Sequence, residues 1–139
     1  KPDEDPFSLP ENLRFLATMN TADRSLRSID AAIRRRFSVF ELAPNLDALE
    51  AFYSKPGNVC EVEDLVEGFK QLNQRLGEDI DRHHLVGHTF FMHRHLTSKR
   101  LRSTWKRQIT PLLEEYFYDA PEQAATYMFE EFWPSVAVV

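Results

Sequence analysis

Asn20, Thr21, Asp23 and Arg24 stand together in the stretch TMNTADRS at 18–25, directly after the apolar run LRFLA. An asparagine amide offers donors and an acceptor without net charge, so it can orient a water or a phosphate oxygen. Asp23 can cap the turn that follows. Arg34, Arg35 and Arg36 come next on consecutive positions. On a helix they fan out over about 200°, too wide for one solvated face, and at least one is expected to face a partner. Guanidinium groups displayed in this way suit phosphate and carboxylate partners.

Two further clusters carry chemistry. His83, His84, His88, His93 and His95 crowd a short stretch. His84 and His88 have the i, i+4 spacing of zinc ligands on a helix, but Gly87 interrupts them and no Cys, Asp or Glu lies between Leu85 and His95 to complete a site. No metal is expected there. From Arg82 to Leu113 the chain has no acidic residue, while Arg94, Lys99, Arg100, Arg102, Lys106 and Arg107 concentrate positive charge. Such a stretch is either a solvated helix face opposite an acidic neighbour or a phosphate or DNA track.

These groups need elements to hold them. Residues 13–19, LRFLATM, read as a short strand buried on both faces, with Asn20 at its carboxyl end, the edge where open α/β sheets bind ligands. Ser25 or Ser28 can cap a helix through SIDAAIRRR, and FSVFEL at 37–42 forms a second strand ending at Pro44. Beyond Pro44 the period turns helical. Asn45 caps LDALEAFYS, and KPGN at 55–58 is a turn. Val62, Leu65, Val66, Phe69, Leu72 and Leu76 mark a helix over 61–76 that Gly77 should stop. The segment 78–95 reads equally as strand or aromatic-packed loop. Thr97 caps a long helix with Leu101, Trp105, Ile109, Leu112 and Tyr116 on one face, which Pro111 should kink or split. Pro121 opens a last helix through EQAATYMFEEFW. Trp105, Tyr116, Phe117 and Trp133 follow helical spacing and belong to a core rather than a base-stacking platform.

The chain has 139 residues with 22 Asp plus Glu against 17 Lys plus Arg, a net charge of −5 that argues against a general nucleic-acid-coating role. Its length suits one cooperative core. The single Cys60, the absence of an apolar run near the roughly 20 residues of a membrane span, and the lack of a signal-peptide pattern predict a soluble cytoplasmic setting without membrane contact. The polar start KPDEDPFSLPEN, without an initiator Met, is expected of a piece of something longer.

LPENLRFLATMNTADRSLRSIDAAIRRRF resembles the second half of the nucleotide-binding module of AAA+ proteins, specifically the McrB type, the GTP-hydrolysing motor of modified-cytosine-specific restriction systems. LVGHTFFM and ITPLLEEYFYD are similar to two downstream segments of the same group, so the likeness runs from about 10 to 120. The resemblance implies a mainly α fold with a small α/β portion. Residues 1–44 would be the end of the AAA+ core and 45–139 a helical lid. It makes Asn20 the sensor that positions the attacking water, with Thr21, Asp23 and Arg24 as nucleotide-facing neighbours. Arg34, Arg35 and Arg36 match the helix end that carries arginine fingers acting in trans, Arg35 and Arg36 first. His88 becomes a structural or nucleotide-adjacent lid residue, and Lys99, Arg100 and Arg102 candidates for the lid's basic contact with nucleotide.

The same resemblance implies GTP or ATP with Mg2+ as ligand of the full-length protein, a homo-oligomeric ring, an endonuclease partner subunit and indirect DNA contact. Yet none of the four glycines, at 57, 68, 77 and 87, begins the G-x-x-x-x-G-K-[ST] pattern that cradles phosphate, and PDEDP at 2–6 has acids without the apolar run of a Walker-B strand. The chain alone is therefore expected to bind no nucleotide tightly and hydrolyse none, and residues 1–44 to be disordered, rearranged or packed on another copy. Two other readings compete: an ATP-using remodeller of the MoxR kind, and a non-enzymatic helical adaptor binding protein or DNA through residues 94–107.

Overall fold

The computed structural model describes residues 8–19 and 35–136, which fall into two compact units, Lys1–Ser38 and Val39–Val139. In the first, the strand expected over 13–19 does not form. The backbone there is irregular, and Phe15 and Leu16 are exposed. The second expected strand, 37–42, spans the boundary between the units and is also irregular, with Phe40 and Leu42 exposed. The physical reason is pairing. A strand is stable only in a ladder, and these segments have no hydrogen-bonded neighbour among the described residues. The helix expected across 25–36 lies outside the described residues except at its end, where Arg35 and Arg36 form an exposed turn.

The second unit is mainly helical. Helix α1, Leu46–Tyr53, starts where Asn45 accepts a 3.0 Å hydrogen bond from the Ala48 amide. The KPGN turn follows, with Gly57 at φ 88°, a conformation that favours glycine. Strand β1, Val59–Cys60, pairs in parallel with β2, His95–Leu96, through Val59 N–H to the Arg94 carbonyl at 2.6 Å and Glu61 N–H to the Leu96 carbonyl at 2.9 Å. Between them run α2, Leu65–Asp79, and a 3-10 turn, His88–Phe91, which resolves the ambiguous 78–95 segment as turn and loop closed by a minimal strand.

Helix α2 does not stop at Gly77. Its last turn is held by tertiary contacts, because Asp79 accepts a 2.7 Å hydrogen bond from the Tyr127 hydroxyl and lies 3.6 Å from Arg75 Nε. The Thr97 side chain caps the long helix as expected, accepting from the Arg100 amide at 3.2 Å. This helix runs as α3, Ser98–Thr104, a π-helical turn, Trp105–Ile109, and α4, Thr110–Tyr116. The π turn lies just before Pro111. A widened turn relocates the carbonyls that the proline ring would otherwise strike, so the helix continues instead of splitting.

The single last helix is replaced by α5, Pro121–Ala124, and α6, Phe129–Phe132, with Met128 extended between them. The break lets Tyr127 reach Phe117, 5.3 Å between ring centroids, as well as Asp79. The core closes on Trp133, fully buried, with centroids of Phe91, Trp105 and Phe129 at 5.6, 5.7 and 5.4 Å. Its indole N–H donates to the Leu65 carbonyl at 3.3 Å. Gly68 makes this approach possible, since a Cβ there would overlap the Phe132 carbonyl oxygen and the indole nitrogen.

Candidate functional site

The start of α3 and the loop before it form one side of a cleft of about 550 Å³, lined by His93, His95, Thr97, Lys99, Arg100, Ser103, Thr104, Arg107 and Gln108. The lining contains cations, imidazoles, hydroxyls and an amide, and no carboxylate. Lys99, Arg100 and Arg107 are exposed, and among the described residues none lies within 4.0 Å of an acidic group. Lys99, Arg100 and Arg107 thus present positive donors to an anion without an acidic partner to displace, whereas His95 is held by Glu61.

Neighbouring elements fix its walls. The Tyr53 hydroxyl of α1 donates to the Phe91 carbonyl at 2.6 Å and lies 3.2 Å from the His93 carbonyl, setting the loop's path. His95 Nε2 sits 2.6 Å from Glu61 Oε1, tying the end of β2 to the residue after β1. His93 is half-buried, and its Nε2 is one of two buried side-chain polar atoms without a hydrogen-bond partner among the described residues, the other being His83 Nδ1. Burial first, and the Arg100 charge second, hold the His93 imidazole below its ordinary pKa of 6.5 against an opposing contact with the Phe90 backbone.

The sign of that shift gives a stability prediction. An imidazole harder to protonate when folded takes up more protons in the unfolded chain, so stability is lost as pH falls below 6.5. His93→Gln should therefore show a shallower decline of melting temperature with acidification than the parent, measured on this chain between neutral and mildly acidic pH. Parallel declines would remove His93 as a source of acid sensitivity.

Of the residues singled out from sequence, Lys99 and Arg100 meet in this cleft. His88 does not line it, and its Nδ1 accepts from the Asn45 amide at 3.1 Å, buttressing the start of α1. Arg102, grouped from sequence with Lys99 and Arg100, belongs to the scaffold. It bonds Glu130 at 3.1 Å and the Val136 carbonyl at 2.6 Å, and its guanidinium lies 4.8 Å from the Phe129 ring centre. Those partners come from far along the chain, so local spacing could not separate it from its neighbours. Arg35 and Arg36 lie in the first unit, and Asn20, Thr21, Asp23, Arg24 and Arg34 lie outside the described residues. Sequence reasoning passed over His93, Thr97, Ser103 and Gln108 as cleft residues. The recurrence of polar residues at 99, 100, 103 and 107 along one helical face was the available signal.

His84 is part of the packed interior, with Nδ1 2.8 Å from Asp81 Oδ1 and its ring edge-on to Tyr116 at 5.0 Å. Among the described residues no three His, Cys, Asp or Glu side chains converge as metal ligands. No helix among them is long and apolar enough to cross a membrane.

The second unit is thus a small helical domain with a carboxylate-free basic cleft at the start of α3. The family model described as McrB, alpha-helical lid domain, matches residues 64–125, and the chain is of McrB type. It is 34% identical over 130 residues to the type IV methyl-directed restriction enzyme EcoKMcrB subunit of Escherichia coli (strain K12), an alignment taking in 86% of this chain. The chain spans 28% of that relative's length. No solved structure matches it significantly.

Proposed function

We propose that this chain supplies the sensor, finger and lid portion of an AAA+ nucleoside triphosphatase of a McrB-like, modification-dependent DNA restriction system. It works with GTP or ATP and Mg2+ in a homo-oligomeric ring that drives an endonuclease partner subunit. Kinship to McrB carries this reading, and the observation in the structure that supports it is the cleft in which Lys99 and Arg100 stand free of carboxylates.

Phosphoryl transfer asks a protein mainly for positioning and charge stabilisation. Asn20, through its amide, orients the water that attacks, with Thr21, Asp23 and Arg24 beside it. Arg35 or Arg36, with Arg34 adjoining, reaches the site of the neighbouring subunit and stabilises charge that develops on the transferred group. Lys99 and Arg100 hold phosphate oxygens from the lid side, and His88 keeps the lid's first helix in place. Mg2+, when bound in the full-length protein, would neutralise phosphate charge. The residues described here offer cations for phosphate rather than a carboxylate set for the ion, and the glycine-lysine cradle does not occur in this sequence. The shared site is thus completed by protein outside these 139 residues.

Asn20→Ala in the intact protein tests the chemistry. Removing one positioned polar group of this kind lowers turnover by about 10²–10³-fold, while nucleotide affinity should change little. Measured side by side, equal loss of hydrolysis and binding would take Asn20 out of the chemical step.

A further inference from the structure

The cleft is longer and more polar than a contact to one terminal phosphate requires. Its helical wall runs from Lys99 to Gln108, about 13 Å at 1.5 Å per residue. Cations stand toward both ends: Lys99 and Arg100 at one, Arg107 at the other. Ser103 lies exposed between them, with Thr104 buried behind it, and exposed Gln108 lies just past Arg107; hydroxyl and amide donors of this kind hold phosphodiester oxygens. A nucleoside pocket is walled mainly by apolar and aromatic side chains, and this cleft has none except the imidazoles of His93 and His95. A base would find no flat apolar surface, whereas a run of phosphates would find donors along its whole length.

From these features we infer that, in the nucleotide-free protein, the helix face from Lys99 to Arg107 is a sequence-independent contact for the phosphodiester backbone of DNA, with Lys99 and Arg100 shared between this contact and the nucleotide phosphates of the proposed function. This goes beyond the indirect DNA contact that the resemblance implies. The negative net charge of the chain does not oppose it, because the acids are absent from Arg82 to Leu113 and the field over this face is set locally. Contacts of this class neutralise phosphates and release counterions, so binding through them weakens steeply with salt.

The test uses the intact protein, a duplex of unmodified cytosine content and no nucleotide, read by fluorescence anisotropy from 50 to 200 mM salt. Arg107→Glu should lower affinity at the lowest salt by roughly tenfold and reduce the slope of log K against log salt by about 0.9, the value for one lost phosphate contact. Lys106→Glu, at a residue that lines a different cleft with Glu114 and Glu130, should change the slope far less. Both positions are exposed, and an unchanged melting temperature establishes that the variants fold. Unchanged affinity and slope in the folded Arg107→Glu variant would overturn the inference. So would a loss of nucleotide affinity without any loss of DNA affinity, or binding of an acidic peptide in place of the duplex. The Asn20 experiment is independent of all these outcomes.

Discussion

Alanine at both Arg35 and Arg36 in the intact protein is expected to lower turnover by about 10³–10⁵-fold, the range over which a finger acts on phosphoryl transfer. Nucleotide binding should be nearly unaffected, because charge stabilisation that appears only in the transition state does not tighten the ground state. Mixing these subunits with others that keep the arginines but lack the lysine of the phosphate loop should restore part of the activity. At some interfaces of a mixed ring, an intact finger then faces an intact cradle. Turnover within about tenfold of the parent would rule out a finger at 35–36. A deep defect with no rescue on mixing would place the arginines in their own subunit's site and count against a shared one. Their position in an exposed turn, free to meet another surface, is compatible with the trans arrangement.

The second large effect concerns the lid itself. Trp133→Ala should cost about 3–5 kcal/mol, the range for deleting a large aromatic from a packed core. In a domain of about 100 residues each kcal/mol is worth about 4–8 °C in melting temperature, so the change is readable by circular dichroism. Trp133 is fully buried among Phe91, Trp105 and Phe129, and Gly68 has no side chain that could move to refill the space. Trp133→Phe should lose less, keeping much of the ring volume while leaving the Leu65 carbonyl without its indole donor. An alanine variant within about 1 kcal/mol of the parent would mean that the core closes without this residue.

How much of this was legible beforehand differs between the two units. Helix α2 and the long helix from Ser98 were readable because their apolar positions recur at 3.6-residue spacing, and the starts of α1 and of the long helix because their caps, Asn45 and Thr97, are short polar side chains. The limits of the helices were less so. Gly77 is a local stop signal overridden by Asp79, whose partners Arg75 and Tyr127 include one far along the chain. Pro111 is a local break absorbed by a π turn. The strands at 13–19 and 37–42 have the right composition, but strand formation depends on neighbours that composition cannot supply. In the candidate site, Lys99 and Arg100 were visible as charge without acids. The separation of Arg102 from them was not, since Glu130 and Val136 claim it only after folding.

The match to the McrB lid ends at residue 125, yet the chain beyond it is stitched to the front of the domain. Ser135 donates through both its amide and hydroxyl to the Asp64 carboxylate, at 3.1 and 2.6 Å, while Trp133 bonds Leu65 and Arg102 grips Val136. Truncation before Trp133 is therefore expected to loosen the start of α2 and the Arg102 side of α3 together, because one short segment closes on both.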